Sequence, residues 1–344
     1  MIENLKQISE SIGVSGHEGP VRQTLRSLSE PFVQTTAVDA LGNLLAYAGQ
    51  HDSAPRVLVA AHMDEIGIMV RKIDDDGFVR FATLGSLRPQ VLLGTKLKFS
   101  TGVQGIVGME RIDEDTKMEL KHLYVDIGAS SRREALEMVS IGDTACFDAD
   151  LSVRNHQIIG KALDDRIGCL IMLECMRQLQ PTRSDAYCWA FTAQEEVGVR
   201  GAQVAAQAYS PDFAVVVDVT PAGDTPKGLD YEVKLGRGAA VKLLDFIPPM
   251  GGFVAPPGVT RFVTSLAEKH AIKWQPEVLE RGSTDAASIH LTGKGVPCAV
   301  ISVPIRYSHT PHELIDKADV EAVTQLILAV LENLNERSIS EMLT

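Results

Sequence analysis

Four short apolar runs, each ending in a side chain able to bind a metal ion, constrain this chain more than any other feature. They are VLVAAHMD, with His62 and Asp64; YCWAFTAQEE, with Glu195 and Glu196; FAVVVDV, with Asp218; and CAVISVPIRYSH, with His309. A continuous apolar run of this length suits a strand buried on both faces, as in a sheet covered by helices. Ligands of open α/β sheets collect beyond the carboxyl ends of the strands, so polar groups repeated at that address predict one shared site. An acidic pair, Asp164-Asp165 in GKALDDRIG, opens the helical pattern that follows and adds two carboxylates.

Length and charge set the frame around that site. With 344 residues and 45% hydrophobic content, the chain can bury a large core and hold more than one domain. Its formal net charge of −12 argues against nucleic acid, because neutralising phosphates needs clustered Lys and Arg. The same surface mildly attracts cationic ligands, such as the free ammonium end of a peptide. The five cysteines, Cys146, Cys169, Cys175, Cys188 and Cys298, contain no CxxC pair and sit mostly inside apolar runs, so buried thiols in a reducing compartment are expected. The opening MIENLKQISESIG lacks the basic start and apolar stretch of a signal peptide, and no run approaches membrane-spanning length. A cytoplasmic location without membrane partners is expected.

Along the chain the texture changes twice. Apolar positions at helical spacing, near Ile2 to Ile12 and from Gly19 to Phe32, flank the turn-like GVSGHEG, and VDALGNLLAYAG and APRVLVAAH then read as strands. After Asp64, β-like segments crowd between glycines and turns, from IGIMVRKI to DTACFDADLSV, with one short helical pattern at REALEMV. Strands so closely spaced predict a small barrel or sandwich. From about Lys161, helices and strands alternate again to the closing VEAVTQLILAVLENLNER. The expected organisation is an α/β domain of residues 1–67 and 161–344, with a central mixed sheet flanked by helices, interrupted by a β-rich insertion of residues 68–160. The Pro/Gly-rich PPMGGFVAPPGVT reads as a loop beside the site.

The chemistry follows from donor types. Zinc and similar divalent ions take imidazole nitrogen and carboxylate oxygen, and a catalytic ion keeps one position open for water. Two neighbouring ions need about one His and one carboxylate each, plus a carboxylate shared between them. His62 and His309 can supply the imidazoles, Glu196 and Asp218 the terminal carboxylates and Asp164 the bridge, although spacing alone leaves His309 in competition with His312. Asp64 lies two residues after His62 and would share its face, where a carboxylate on the far imidazole nitrogen fixes the tautomer. Of the neighbours Glu195 and Glu196, one can bind metal while the other points into the cleft as a general base. Asp165 and Arg166 open a helix and read as supportive, through backbone N–H groups and a carboxylate partner respectively.

Each piece also has an ordinary structural reading. HMD can be a satisfied histidine with an N-cap, EE a solvated face, and DDR a cap with a surface ion pair. Taken jointly, those readings need several independent coincidences at one sheet edge. Arg237, Lys242 and Arg281 read as surface charges rather than as a pocket for an acidic residue.

GVSGHEG (Gly13 to Gly19), AAHMDEIG (Ala60 to Gly67), GKALDDRIG (Gly160 to Gly168), AQEEVGVRGA (Ala193 to Ala202), STDA (Ser283 to Ala286) and SHTPHE (Ser308 to Glu313) follow one another along almost the whole chain. In that order they resemble the tetrahedral (TET) aminopeptidases, a family that includes glutamyl and deblocking aminopeptidases. The resemblance implies a co-catalytic dimetal aminopeptidase whose inserted β-barrel serves dimerisation, and dimers assembled into a dodecameric tetrahedron. It implies His62, Asp164, Glu196, Asp218 and His309 as ligands with Asp164 bridging, Glu195 as general base, and Asp64 as the residue orienting His62. It selects His309 over His312 and suggests an unusual peptide geometry at Asp164-Asp165. Two divalent ions are implied, Zn2+ first, with Co2+ or Mn2+ as alternatives. The implied substrates are peptides with a free N-terminus.

Other functions remain to be weighed. A dimetal N-deacylase or carboxypeptidase shares the ligands but anchors a substrate carboxylate, which calls for Arg or Lys in the pocket. A glucanase needs two carboxyl groups about 5–9 Å apart in a cleft lined by aromatics, and only 5% of this chain is aromatic. A non-catalytic assembly protein on the same scaffold is opposed by the complete ligand set with its base.

Overall fold

The computed structural model describes residues 1–49, 55–179, 186–247 and 251–344. Four parallel strands form the middle of a large mixed sheet: Ala186–Thr192, Arg56–His62, Phe213–Pro221 and Cys298–Arg306, side by side in that order. All four are buried along nearly their whole length. Alternate residues enter opposite cores. Val57, Val59, Trp189, Phe191 and Val215 join the side packed by helices such as Ile2–Glu10, Leu163–Gln178 and Lys317–Asn333. Leu58, Ala60, Ala190, Ala214 and Val216 join the side packed by Arg200–Tyr209 and Ala286–Ile289. Helices on both faces explain why the four runs are continuous rather than alternating.

Antiparallel strands complete the sheet. Leu44–Gly49 and Thr35–Val38 extend it on one side, and Glu313–Asp316, Gln157–Gly160 and Ser152–Arg154 on the other. Ala239–Ile247 also pairs with Cys298–Arg306 and carries Gly251–Val254 and Trp274–Leu279 as its own neighbours. Between Gly67 and Phe147, six strands close into an antiparallel barrel around a separate core of Ile68, Val79, Leu97, Phe99, Val107 and Val125. The expected helix-flanked mixed sheet is present, and of barrel and sandwich the barrel is realised. Ser152–Arg154 and Gln157–Gly160, which the sequence groups with the β-rich block, hydrogen-bond into the large sheet.

One expectation is corrected in the Pro/Gly-rich stretch. Gly251–Val254 is a strand rather than a loop, because it pairs antiparallel with Leu244 to Ile247, and a helix follows at Pro257–Lys269. Residues 248–250 of that stretch lie outside the described residues. All five cysteines are buried and free. Among the described residues, no helix is long and apolar enough to cross a membrane.

Candidate metal centre

The carboxyl ends of the four parallel strands meet at one edge, and each delivers a polar side chain there. His62 ends its strand beside Thr192, three residues before Glu195, and Asp218 lies beside Ser302 near the end of Phe213–Pro221. His309 follows Cys298–Arg306 by three residues. Asp164 arrives from the opposite direction, in the first turn of Leu163–Gln178, and its peptide bond to Asp165 is cis.

The side chains converge on Asp164. Its Oδ1 lies 3.1 Å from His62 Nε2, and its Oδ2 lies 3.4 Å from His309 Nε2. His309 Nε2 is also 3.4 Å from Glu196 Oε1. One carboxylate therefore faces two imidazoles delivered by different strands. Two sets of donor atoms come within 4.8 Å of one another, His62 with Asp164 and Glu196, and His62 with Asp165 and Asp218. His312 is exposed. Asp165 does make the supportive contact expected of it, accepting from Gly168 N at 3.0 Å. Its other oxygen, Oδ2, has no hydrogen-bond partner although the residue is fully buried, so Asp165 is a further donor that the helix-capping reading overlooks.

The histidines are held from behind. His62 Nδ1 lies 3.2 Å from the Asp64 carbonyl and 3.6 Å from the Asp64 carboxylate, which leaves Nε2 free to face the centre. The carboxylate stands farther off because other donors claim it. It accepts from Ser15 Oγ at 2.6 Å, from Glu195 N at 2.9 Å and from Glu196 N at 3.3 Å. Asp64 thus ties the His62 strand end to the Glu195-Glu196 turn and to the GVSGHEG loop. The same loop sends buried Glu18 to Gln194 N at 3.2 Å. His309 Nδ1 lies 3.0 Å from the carbonyl of Ser86, just beyond the barrel strand Val79–Leu84. Gly85 in that same turn has φ +79, and a Cβ there would meet Ile66 at 2.5 Å and Glu196 Oε2 at 3.2 Å. The barrel's turn therefore packs against the centre. Ser15, Glu18 and Ser86 escape a search for ligand-type patterns, because each acts through a backbone group or a partner distant in sequence.

Arg166 and Lys161 form a separate buried cluster next door. Glu65 accepts from Lys161 Nζ at 2.6 Å, from Arg166 Nη2 at 3.4 Å and from Gly13 N at 3.1 Å. Arg166 further donates to the carbonyls of Ile8 at 2.5 Å and Ser11 at 3.1 Å. The expected carboxylate partner of Arg166 is thus Glu65, and the pair is buried rather than superficial.

Charge balance in the centre fits divalent cations. Burial, reinforced by neighbouring carboxylates, holds Glu195 and Asp218 well above the usual carboxyl range and pushes Glu196 up to about 7. Burial likewise lifts Asp285, hydrogen-bonded to Thr192 Oγ1 at 2.5 Å, to about 6. Asp164 is lowered despite its burial, through its contacts with His309 and His62. Burial alone would lower His309, but Glu196 and Asp164 outweigh it and raise the ring to about 10. Carboxylates crowded in a low-dielectric cleft hold protons unless cations replace them. Imidazole nitrogens and carboxylate oxygens, with the unpartnered Oδ2 of Asp165, are donors suited to such cations.

The surface reading of the basic residues holds for Arg237 and Arg281, which are exposed, and fails for Lys242. Lys242 is 1% exposed and ion-paired with Glu277 at 2.6 Å, because its strand is covered on that face and a buried ammonium needs a counter-charge. A cavity of about 430 Å3 opens beside Thr220 and Pro221, two and three residues beyond Asp218, and is bounded by Tyr231, Leu243 and Glu277.

Residues 42–326 match the family model described as M42 glutamyl aminopeptidase. A putative aminopeptidase of Acetivibrio thermocellus is 41% identical, with 96% of this chain and 98% of that one covered. Among solved structures, an aminopeptidase from the archaeon Desulfurococcus kamchatkensis superposes with a TM-score of 0.94 at 33% identity, covering 99% of this chain and 97% of that one. The TET1 peptidase of Pyrococcus horikoshii, described as able to assemble into a tetrahedron or a large octahedral shell, gives a TM-score of 0.84 at 31% identity, covering 97% and 99% of the two chains.

Proposed function

Because the chain belongs to the M42 glutamyl aminopeptidase family and is a hydrolase acting on peptides, we propose that it removes N-terminal residues with two divalent ions and Glu195 as general base. The observation that carries this reading is Asp164, whose two oxygens face His62 and His309 from either side. His62 and Asp218 would hold one ion, Glu196 and His309 the other, and Asp164 both. When bound, such ions supply Lewis acidity toward a carbonyl oxygen and ease the deprotonation of water. Glu195 takes the proton of the attacking water and returns it to the leaving amine. Asp64 orients His62 and holds the backbone of the Glu195-Glu196 turn, so the base and a ligand stay in fixed relation.

The acidic cleft favours a substrate's free ammonium end, which restricts cleavage to the first residue. We assign the inserted barrel, between Gly67 and Phe147, to dimerisation, and dimers to a closed dodecamer, by likeness to the tetrahedron-forming relative. Zn2+ is the first choice of metal, with Co2+ and Mn2+ as alternatives, and the location is cytoplasmic. An N-deacylase or carboxypeptidase needs a cation for a substrate carboxylate, and the buried candidate, Lys242, is already paired with Glu277. A panel of aminoacyl anilides and N-acylated amino acids, assayed with chelator and with added Zn2+, Co2+ and Mn2+, tests the reading. Metal-dependent release from free-amine substrates alone is expected; preference for acylated substrates would refute it.

A further inference from the structure

Glu313 has no part in the ligand set, yet it touches two of its members. The residue is 2% exposed. Its Oε1 accepts from the backbone N–H of His309 at 2.8 Å, and its Oε2 accepts from the backbone N–H of Asp164 at 3.0 Å. One carboxylate thereby joins segments 145 residues apart in sequence, 309 − 164.

The placement follows from the sheet. Glu313 begins the strand Glu313–Asp316, and its register partner is Gly160, the last residue of Gln157–Gly160. From that shared rung, the chain runs on four residues to Asp164 and back four residues to His309. Both excursions pass through conformations unusual for side-chain-bearing residues, with φ 52 at Ala162 and φ 61 at His309. Residues in that region persist where the surroundings over-determine them. At this mouth the Glu313 carboxylate supplies that constraint. Both of its oxygens accept from backbone amides, so one buried side chain satisfies two donors that would otherwise lack a partner.

We propose that Glu313 is a positioning residue of the metal centre, a clasp that holds the Asp164 and His309 backbones at the spacing both ions require. It is the counterpart of Asp64, which holds the Glu195 and Glu196 amides on the other side of the cleft. The proposal rests on the two-metal reading above. Removing an outer partner of a metal site costs about 10–100-fold in affinity, and that range is the effect expected here.

The test is calorimetric titration of the chelated full-length protein with Zn2+ alone, for wild type and Glu313→Gln, with Co2+ spectra of both. In the Gln variant an amide N–H2 opposes a backbone N–H, so one of the two amides loses its acceptor. Zn2+ binding weakened about 10–100-fold, a changed visible Co2+ spectrum, an unchanged KM, and kcat recovered at high Zn2+ are expected together. Glu313→Asp, which keeps the carboxyl group but is too short to reach both amides, is expected to weaken binding in the same direction and serves if the Gln variant fails to fold. Undiminished Zn2+ affinity in either variant, or a lowered melting temperature with an unaltered Co2+ spectrum, would overturn the clasp. A wild type that binds no Zn2+ would instead overturn the two-metal reading itself.

Discussion

Asp64 and Glu65 are neighbours in the chain, both buried, and they serve two clusters of opposite electrostatic character. Glu65 meets two cations, Lys161 and Arg166, and a backbone amide, so its cluster balances itself. Asp64 stands among carboxylates that outnumber the imidazoles, and several of those carboxyl groups are pushed far up by burial and by one another. A buried ion pair left whole is tolerable, whereas an uncompensated buried charge costs several kcal/mol. The contrast separates a cluster balanced within the fold from one whose surplus of carboxylates fits the cations proposed for it.

The largest expected effect lies in the unbalanced cluster. Glu195→Gln keeps every proposed ligand but removes the proposed base, so kcat is expected to fall about 10²–10⁴-fold with metal content unchanged, as measured by elemental analysis beside steady-state kinetics. Loss of metal in that variant would mean that Glu195 is a ligand. In the balanced cluster, Glu65→Gln leaves Lys161 and Arg166 without their counter-charge, and denaturant unfolding should show a loss of about 3–5 kcal/mol. An unchanged midpoint would break the comparison from that side.

Asp218→Asn sharpens it by sign. In metal-free protein at pH about 8, removing one crowded carboxylate, which burial and Asp164 push well above the usual carboxyl range, should stabilise the fold, while metal affinity falls. Destabilisation of the metal-free variant would contradict the assigned imbalance.

The pH dependence runs the same way. Glu196, lifted by burial to about 7, binds its proton more tightly folded than unfolded, so its contribution to stability is fully present near the ordinary carboxyl range and is lost as pH rises through about 7. His309, raised to about 10 by Glu196 and Asp164 against its burial, loses stability over a higher window with the same sign. The melting temperature of metal-free protein is therefore expected to rise from pH about 8 to about 6, and a fall over that range would oppose it. The smallest effect belongs to the barrel's partly exposed cluster of Asp74 with Lys72 and Arg80, where solvent screens the charges. Asp74→Asn should cost at most about 1 kcal/mol and leave metal binding untouched.

Much of this is legible in the sequence, and for a physical reason. Buried parallel strands write themselves as unbroken apolar runs; His62, Glu195, Glu196 and His309 stand at or just beyond the ends of such runs, and Asp218 interrupts one near its end. The supports were not legible, because their partners are remote in sequence or are backbone groups. Glu313 faces two amides, His309 Nδ1 faces the Ser86 carbonyl, and Ser15 reaches Asp64 across 49 residues. Lys242 misled for a related reason. A lysine in GRGAAVKLL is ordinarily solvated, and only the pairing of Ala239–Ile247 with Trp274–Leu279 brings Glu277 beside it.

Titration of the chelated wild-type protein with Zn2+, with aminoacyl anilide hydrolysis followed at each point, tests the central claim most directly. Two ions per subunit and activity that tracks their binding are predicted. Full hydrolysis in the chelated protein, or activity complete with no ion bound, would contradict the account.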